Sequence, residues 1–113
     1  MRTRTEFDPA LSASMYLARS QLVSCAPGIT LLARSDPLRV YLRFAVDPAL
    51  ILPDIELHFG TGAGLGPYQK LTSGSIVEIV WIYHGPLCGY DWYLKNNGVA
   101  SIPIFVVELD YHA

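Results

Sequence analysis

Charge is scarce in this sequence. Only 16% of its 113 residues are Asp, Glu, Lys or Arg, the net charge is −2, and lysine occurs only at Lys70 and Lys95. Sequence-independent nucleic-acid binding relies on a basic field, so nucleic acid is disfavoured as a partner. Cysteine is scarcer still. Cys25 and Cys88 are too few for a disulfide framework and their spacing fits no zinc or redox pattern. Two buried thiols are expected, with a single bridge as the other reading and the redox state left open. No window offers the roughly 20 apolar residues of a membrane helix, so no membrane partner is expected. The opening "MRTRTEFDPALSAS" lacks the apolar core of a secretory signal. The expected site of synthesis and folding is therefore a reducing cytoplasm. Repeats, low-complexity tracts and linkers are also missing, so residues 1–113 read as one domain.

What the chain does have is apolar mass. It is 51% hydrophobic with a mean hydropathy of +0.30, too apolar for disorder and apolar for a free monomer of this size. Part of that surface is expected to lie against a partner.

The patterning is that of strands. In "LRVYLRFAV" Leu38, Val40, Leu42, Phe44 and Val46 alternate with Arg39, Tyr41, Arg43 and Ala45, the period of a half-buried strand. "GITLLAR" before it reads as a strand joined to it by a "SDP" turn, giving a hairpin. "IELHF" alternates as well, and "SIVEIVWIYH" is apolar on both faces and reads as a central strand. "GPLCGYDWYLK", "NNG" and "SIPIFVVELDY" read as strand, turn and strand, with Asn97-Gly98 supplying positive φ. Pro103 belongs at an edge or a bulge, because it has no ladder donor. At the start two readings stay open. Residues 8–18 form a short helix capped by Asp8 and Pro9, or residues 1–13 are an extended arm and "SMYLARSQLVS" is the first strand. The sum is an all-β fold, a small β-sandwich or jelly-roll-like barrel of about seven to eight strands with an N-terminal arm.

Candidate chemistry is thin. "FGTGAGLGPYQ" carries four alternate glycines, but neither start, Gly60 nor Gly62, completes a dinucleotide fingerprint, since Leu65 and Pro67 stand where the last glycine belongs. No Gly-Lys-Ser/Thr follows, and no helix period comes after the loop. These glycines read as a mobile loop at the end of the sandwich or one lying on a neighbouring subunit. His58, His84 and His112 have no close-spaced ligand neighbour and read as surface or turn histidines. His84, Asp91 and Ser101 lack the elbow motif of a nucleophile. Glu78, inside an apolar strand, reads as an outward residue paired with an arginine, or a buried group in a subunit contact, rather than a catalytic acid, since no second carboxylate is placed beside it. Arg39, Tyr41 and Arg43 share a strand face with Arg34 nearby, which favours a salt-bridge face toward another protein over a single-strand platform. Trp81, Tyr83, Tyr90, Trp92 and Tyr93 cluster in two neighbouring strands as core or interface, with a sugar-stacking surface as the rival use. No catalytic, cofactor or metal residue is assigned, no cofactor is expected, and the chain is read as no enzyme.

The order of segments, a short arm and strand, "LLARSDPLRVYLRF", a glycine-rich stretch, "LTSGSIVEI" and "GPLCGYDWYLKNNGVASIPIFVVE", resembles small β-sandwich virion proteins of tailed bacteriophages, of the capsid-decoration or head-fibre-base type. Arg39, Ser73-Gly74 and Val106-Val107-Glu108 occupy the places of an arginine-led strand, a turn and a final valine-rich strand in that family. "RVYLRFAVDPALIL" departs from the short asparagine-glycine turn expected after the arginine-led strand. The resemblance implies a virion location after assembly in a host cytoplasm. It also implies a non-enzymatic structural role, docking on the major capsid protein or connector, and a homo-oligomer such as a trimer. The rival readings are a carbohydrate-binding module using Trp81, Trp92 and Tyr90, and a small metal-dependent barrel enzyme.

Overall fold

The computed structural model describes residues 16–50, 53–61 and 64–111. Eight strands follow in order: β1 (Tyr16–Cys25), β2 (Gly28–Ala33), β3 (Arg39–Ala45), β4 (Ile55–Thr61), β5 (Gly64–Leu71), β6 (Ile76–Val80), β7 (Asp91–Asn96) and β8 (Ile102–Tyr111). A four-residue helix, α1 (Trp81–His84), and a 3-10 turn (Gly85–Gly89) lie between β6 and β7. All pairings are antiparallel. They build a first sheet in the order β1-β8-β3-β6 and a second in the order β2-β7-β4-β5. That order is a jelly roll, an open two-sheet sandwich rather than a closed barrel.

Consecutive strands mostly change sheet, and β4–β5 is the one sequence-adjacent pair that shares a ladder. The expected hairpins on either side of the middle of the chain are therefore corrected. β2 and β3 sit in opposite sheets, as do β7 and β8. The "SDP" turn forms locally, with the Leu38 N–H donating to Asp36 Oδ1 at 2.9 Å, but the Asp36 N–H is drawn to Gly89 O at 2.9 Å, so the chain crosses the sandwich instead of folding back. After β7 the organising residue is the buried Asn96. Its Nδ2 donates to Cys25 O at 3.0 Å and Ala100 O at 2.8 Å, and its Oδ1 accepts from the Gly98 N–H at 2.9 Å. Neither Asn97 nor Gly98 has positive φ. Gly98 is needed for space, since a Cβ there would come within 2.5 Å of Pro53 Cβ.

β6 is also corrected. It is an edge strand of five residues, and "WIYH" leaves the sheet as α1. The described part of the glycine-rich run is ladder rather than a mobile loop: residues 55–61 pair with 64–71, and Gly62 and Ala63 lie outside the described residues. The N-terminal strand is present from Tyr16, so residues 16–18 are strand and not helix, and the proposed arm lies outside the described residues. Pro103 stands opposite Ser24 of β1 and beyond the reach of β3, whose pairing starts at Phe105. Its missing donor therefore costs β3 no ladder bond.

The core is the space between the sheets. Leu42, Phe44, Ile79, Ile104 and Val106 of the first sheet meet Leu32, Ile55, Leu57, Trp92 and Leu94 of the second, all at 2% exposure or less. Trp92 is the centre, with Tyr68 edge-on at 5.0 Å, Phe44 at 5.7 Å and Phe59 at 5.8 Å between ring centroids. Its indole N–H donates to Leu87 O at 3.1 Å, so the polar end of the ring is satisfied inside.

Candidate docking face

An antiparallel sandwich ordinarily shows water the polar half of each strand. The second sheet does this in one row, while the neighbouring row, Leu31, Tyr93, His58 and Pro67, is mostly apolar. Its ladder aligns Ile29, Lys95, Glu56 and Lys70 across all four strands, a row of alternating charge on the outer face. The first sheet does not. There the register aligns Leu22, Phe105, Ala45 and Ile76 across β1, β8, β3 and β6. Leu22 is 66% exposed, Ile76 56% and Phe105 43%. The next rows add Val107, then Ala18, Leu109, Tyr41 and Val80. Beside the first row lies an apolar depression of about 490 Å³, walled by Leu22, Val46, Pro48, Pro103 and Phe105, with Asp47 as its one charged residue.

Two charges interrupt this face, Arg43 and Glu78, opposite one another in register. Glu78 is outward and exposed, as expected, and accepts a hydrogen bond from the Tyr41 hydroxyl at 2.6 Å. Burial, then that bond and the Glu78 charge, push the Tyr41 hydroxyl up to about 12, against the pull of Arg43. Arg43 is half-buried and forms no hydrogen bond or ion pair with another described residue.

Arg39 is the main correction. Instead of sharing the outer face with Tyr41 and Arg43, it points into the sandwich and is fully buried, because a bulge between Arg39 and Tyr41 turns two consecutive residues, Arg39 and Val40, inward. Its Nε donates to Cys88 O at 2.8 Å, Nη1 to Arg34 O at 2.5 Å and Glu108 Oε1 at 2.9 Å, and Nη2 to Tyr90 O at 2.6 Å. The guanidinium thus closes one end of the sandwich. Around it Arg19 pairs with Asp110 and lies 3.8 Å from Asp36 and 4.0 Å from Glu108. Asp110 Oδ1 is buried without a hydrogen-bond partner. Burial, then the hydrogen bond and charge of Asp36, raise the Asp110 carboxyl to about 6; Glu108 adds to this and Arg19 opposes it.

The other sequence candidates scatter. His84 Nδ1 turns back to the Val80 amide at 2.9 Å, while Asp91 Oδ1 accepts from the Ser35 N–H at 2.5 Å. No bond joins either to Ser101 among the described residues. His58 Nε2 lies 3.4 Å from Glu56 Oε2 without hydrogen-bond geometry. His112 lies outside the described residues, and among the described residues no set of three His, Cys, Asp or Glu could hold a metal. Trp92 belongs to the core and cannot stack a ligand, and Trp81 and Tyr83 are on α1 rather than on a strand. Trp81 and Tyr90 do line an apolar depression of about 400 Å³ with Pro37 and Pro86. Both cysteines are buried and free, as the sequence reading favoured, and burial raises the Cys25 thiol to about 11. An apolar surface was expected, but which sheet carries it was not read, although its signal is present in "IPIFVVEL", where both strand parities are apolar.

No family model matches the chain, and no curated protein matches it. Among solved structures, a chain from Bacillus endospore appendages, described as a novel family of disulfide-linked pili, aligns over 87% of this chain and 88% of that one, with a TM-score of 0.55 and 8% identity. The Yersinia pseudotuberculosis-derived mitogen aligns over 85% and 86%, with a TM-score of 0.42 and 11% identity. Neither comes from a phage particle. At such identities the pilus likeness speaks for a shared β-rich fold alone.

Proposed function

We propose that this chain is a non-enzymatic building block of a surface structure, held in place by the outer face of the β1-β8-β3-β6 sheet. The observation that carries this is the exposed apolar row of Leu22, Phe105, Ala45 and Ile76 across the first sheet, where the second sheet has a row of alternating charge. An exposed apolar face of this extent is costly in water and marks a surface meant to be covered. The fold likeness to a pilus chain supports a structural use of the architecture. In the form the sequence resemblance suggests, the structure is a tailed-phage particle and the chain decorates its head, contacting the major capsid protein or connector. Unlike a disulfide-linked pilus, its assembly would rest on non-covalent contacts, since both cysteines are buried.

Immunogold labelling with an antibody to the chain tests this on particles and surface appendages from the source. Label on assembled structures is the expected result, and label confined to soluble material overturns the reading. Deleting residues 1–13 should weaken particle attachment without unfolding the domain; undiminished attachment removes the arm from the account. A carbohydrate-binding role has one observation in its favour, the depression lined by Trp81 and Tyr90. It predicts a tryptophan fluorescence change with some member of a glycan panel, and silence across the panel would end it.

A further inference from the structure

The covered face has a self-complementary layout. Across the apolar row, strand β3 carries Arg43 two residues to one side of Ala45, and Asp47, just past the end of the strand, lies two residues to the other. Arg43 is half-buried, stands opposite Glu78 in register, and forms no hydrogen bond or ion pair with another described residue. Asp47 is exposed at the rim of the depression, and its Oδ1 accepts from the Ala49 N–H at 2.8 Å. A two-fold axis lying on the face, perpendicular to the strands and along the Leu22-Phe105-Ala45-Ile76 row, exchanges these two positions. The same operation lays Val107 over Pro103 and Ser20 over Ser24, and brings Phe105 against its own image. Arg43 faces a charge of opposite sign under it, with Glu78 one strand away. Glu78 falls toward the Thr72–Ser75 turn of the facing copy.

We propose that the occupant of this face is a second copy of the chain, related by that axis, with Arg43 of each copy paired to Asp47 of the other. This rests on the assembly reading above and gives it a specific contact. Isologous two-fold pairing is the commonest closed arrangement of identical chains. Four strands at about 4.8 Å and three to four rows at about 6.8 Å give roughly 400–500 Å² per copy in flat projection. The accessible surface of the projecting side chains is larger, which places the pair near the roughly 1,000 Å² total that a specific interface needs. An interface at this lower limit is reversible, with dissociation in the micromolar range.

Sedimentation velocity over a concentration series tests the pairing in the full chain. The wild type should show a monomer–dimer equilibrium. Phe105→Ser should reduce dimer to the monomer baseline, while circular dichroism and Trp92 fluorescence stay native. Arg43→Glu and Asp47→Arg should each weaken dimerisation by about tenfold or more, since each sets like charges against one another. Their equimolar mixture should recover dimer, because both contacts then pair opposite charges. Asp47→Asn keeps the acceptor for the Ala49 N–H and removes only charge, so a dimer weakened by it is not a turn defect. A wild type that stays monomeric at millimolar concentration, a trimer, or a mixture that fails to recover dimer overturns the proposal. A monomer that still labels assembled structures would do so while leaving the assembly reading intact.

Discussion

Replacing Arg39 by Met tests whether the closed end of the sandwich depends on one buried guanidinium. The side chain is fully buried and donates to three carbonyls, those of Arg34, Cys88 and Tyr90, and to the Glu108 carboxylate at 2.9 Å. Methionine fills similar volume but donates nothing. Arg34 O, Cys88 O and Tyr90 O then lose a charged donor, and Glu108, 9% exposed, keeps Arg19 at 4.0 Å as its one cation among the described residues. Breaking a buried ion pair by removing one partner costs about 3–5 kcal/mol, since the other charge stays behind. That is a large share of the 5–15 kcal/mol typical of a domain. With an m-value of about 2 kcal/mol/M, the urea midpoint should fall by about 2 M, followed through the fluorescence of buried Trp92. Adding Glu108→Leu to the same chain removes the stranded charge and should return about 1–2 kcal/mol of the loss, a coupling that a double-mutant cycle reads directly. Arg39→Lys should fall between, because a compact ammonium cannot meet four acceptors spread around a planar fork. A loss under about 1 kcal/mol for Arg39→Met at unchanged m, or no recovery from Glu108→Leu, would refute the clamp.

Other outcomes follow from the same coordinates. The folded Asp110 carboxyl, at about 6, lies above its ordinary value of 3.8, so the native state holds a proton that the unfolded chain has released; this stabilisation is complete below about 3.8 and lost as pH rises through about 6. Stability read from urea melts should therefore fall by about 1 kcal/mol as pH rises from about 5 to 7.5, after allowance for solvent screening, and Asp110→Asn should flatten that slope; an identical slope in the variant would exclude Asp110 as its source. Gly98→Ala forces a Cβ to within 2.5 Å of Pro53 and should destabilise by about 1–3 kcal/mol in thermal or urea melts. Ellman's reagent should find no reactive thiol in the native protein and two in urea, since Cys25 and Cys88 are both fully buried, and reducing agent should leave any assembly intact.

The class of the fold was legible because its signals are local. Alternation in "LRVYLRFAV" follows from the two-residue period of a strand, and β3 is where that pattern placed it. Scarce charge and high hydrophobicity likewise announced an apolar surface in need of a cover. Partnering was not legible. The hairpins read around "SDP" and "NNG" came apart because short turns here carry the chain between sheets, and a turn motif specifies a reversal of direction but not the layer in which the next strand lands. Arg39 misled the strand pattern because a bulge adds one residue to the inward count, and the cause of that bulge, three carbonyls and Glu108 waiting inside, is assembled from segments far apart in sequence. The candidate docking face depends on the same long-range fact. Leu22, Ala45, Ile76 and Phe105 are unremarkable one by one, and they become a surface only when antiparallel register sets them in a single row. Composition and period determined that this chain would be a β-sandwich with more apolar surface than its core could take up; the pairing of distant strands decided which face would carry it, because register is fixed by contacts between segments and not within them.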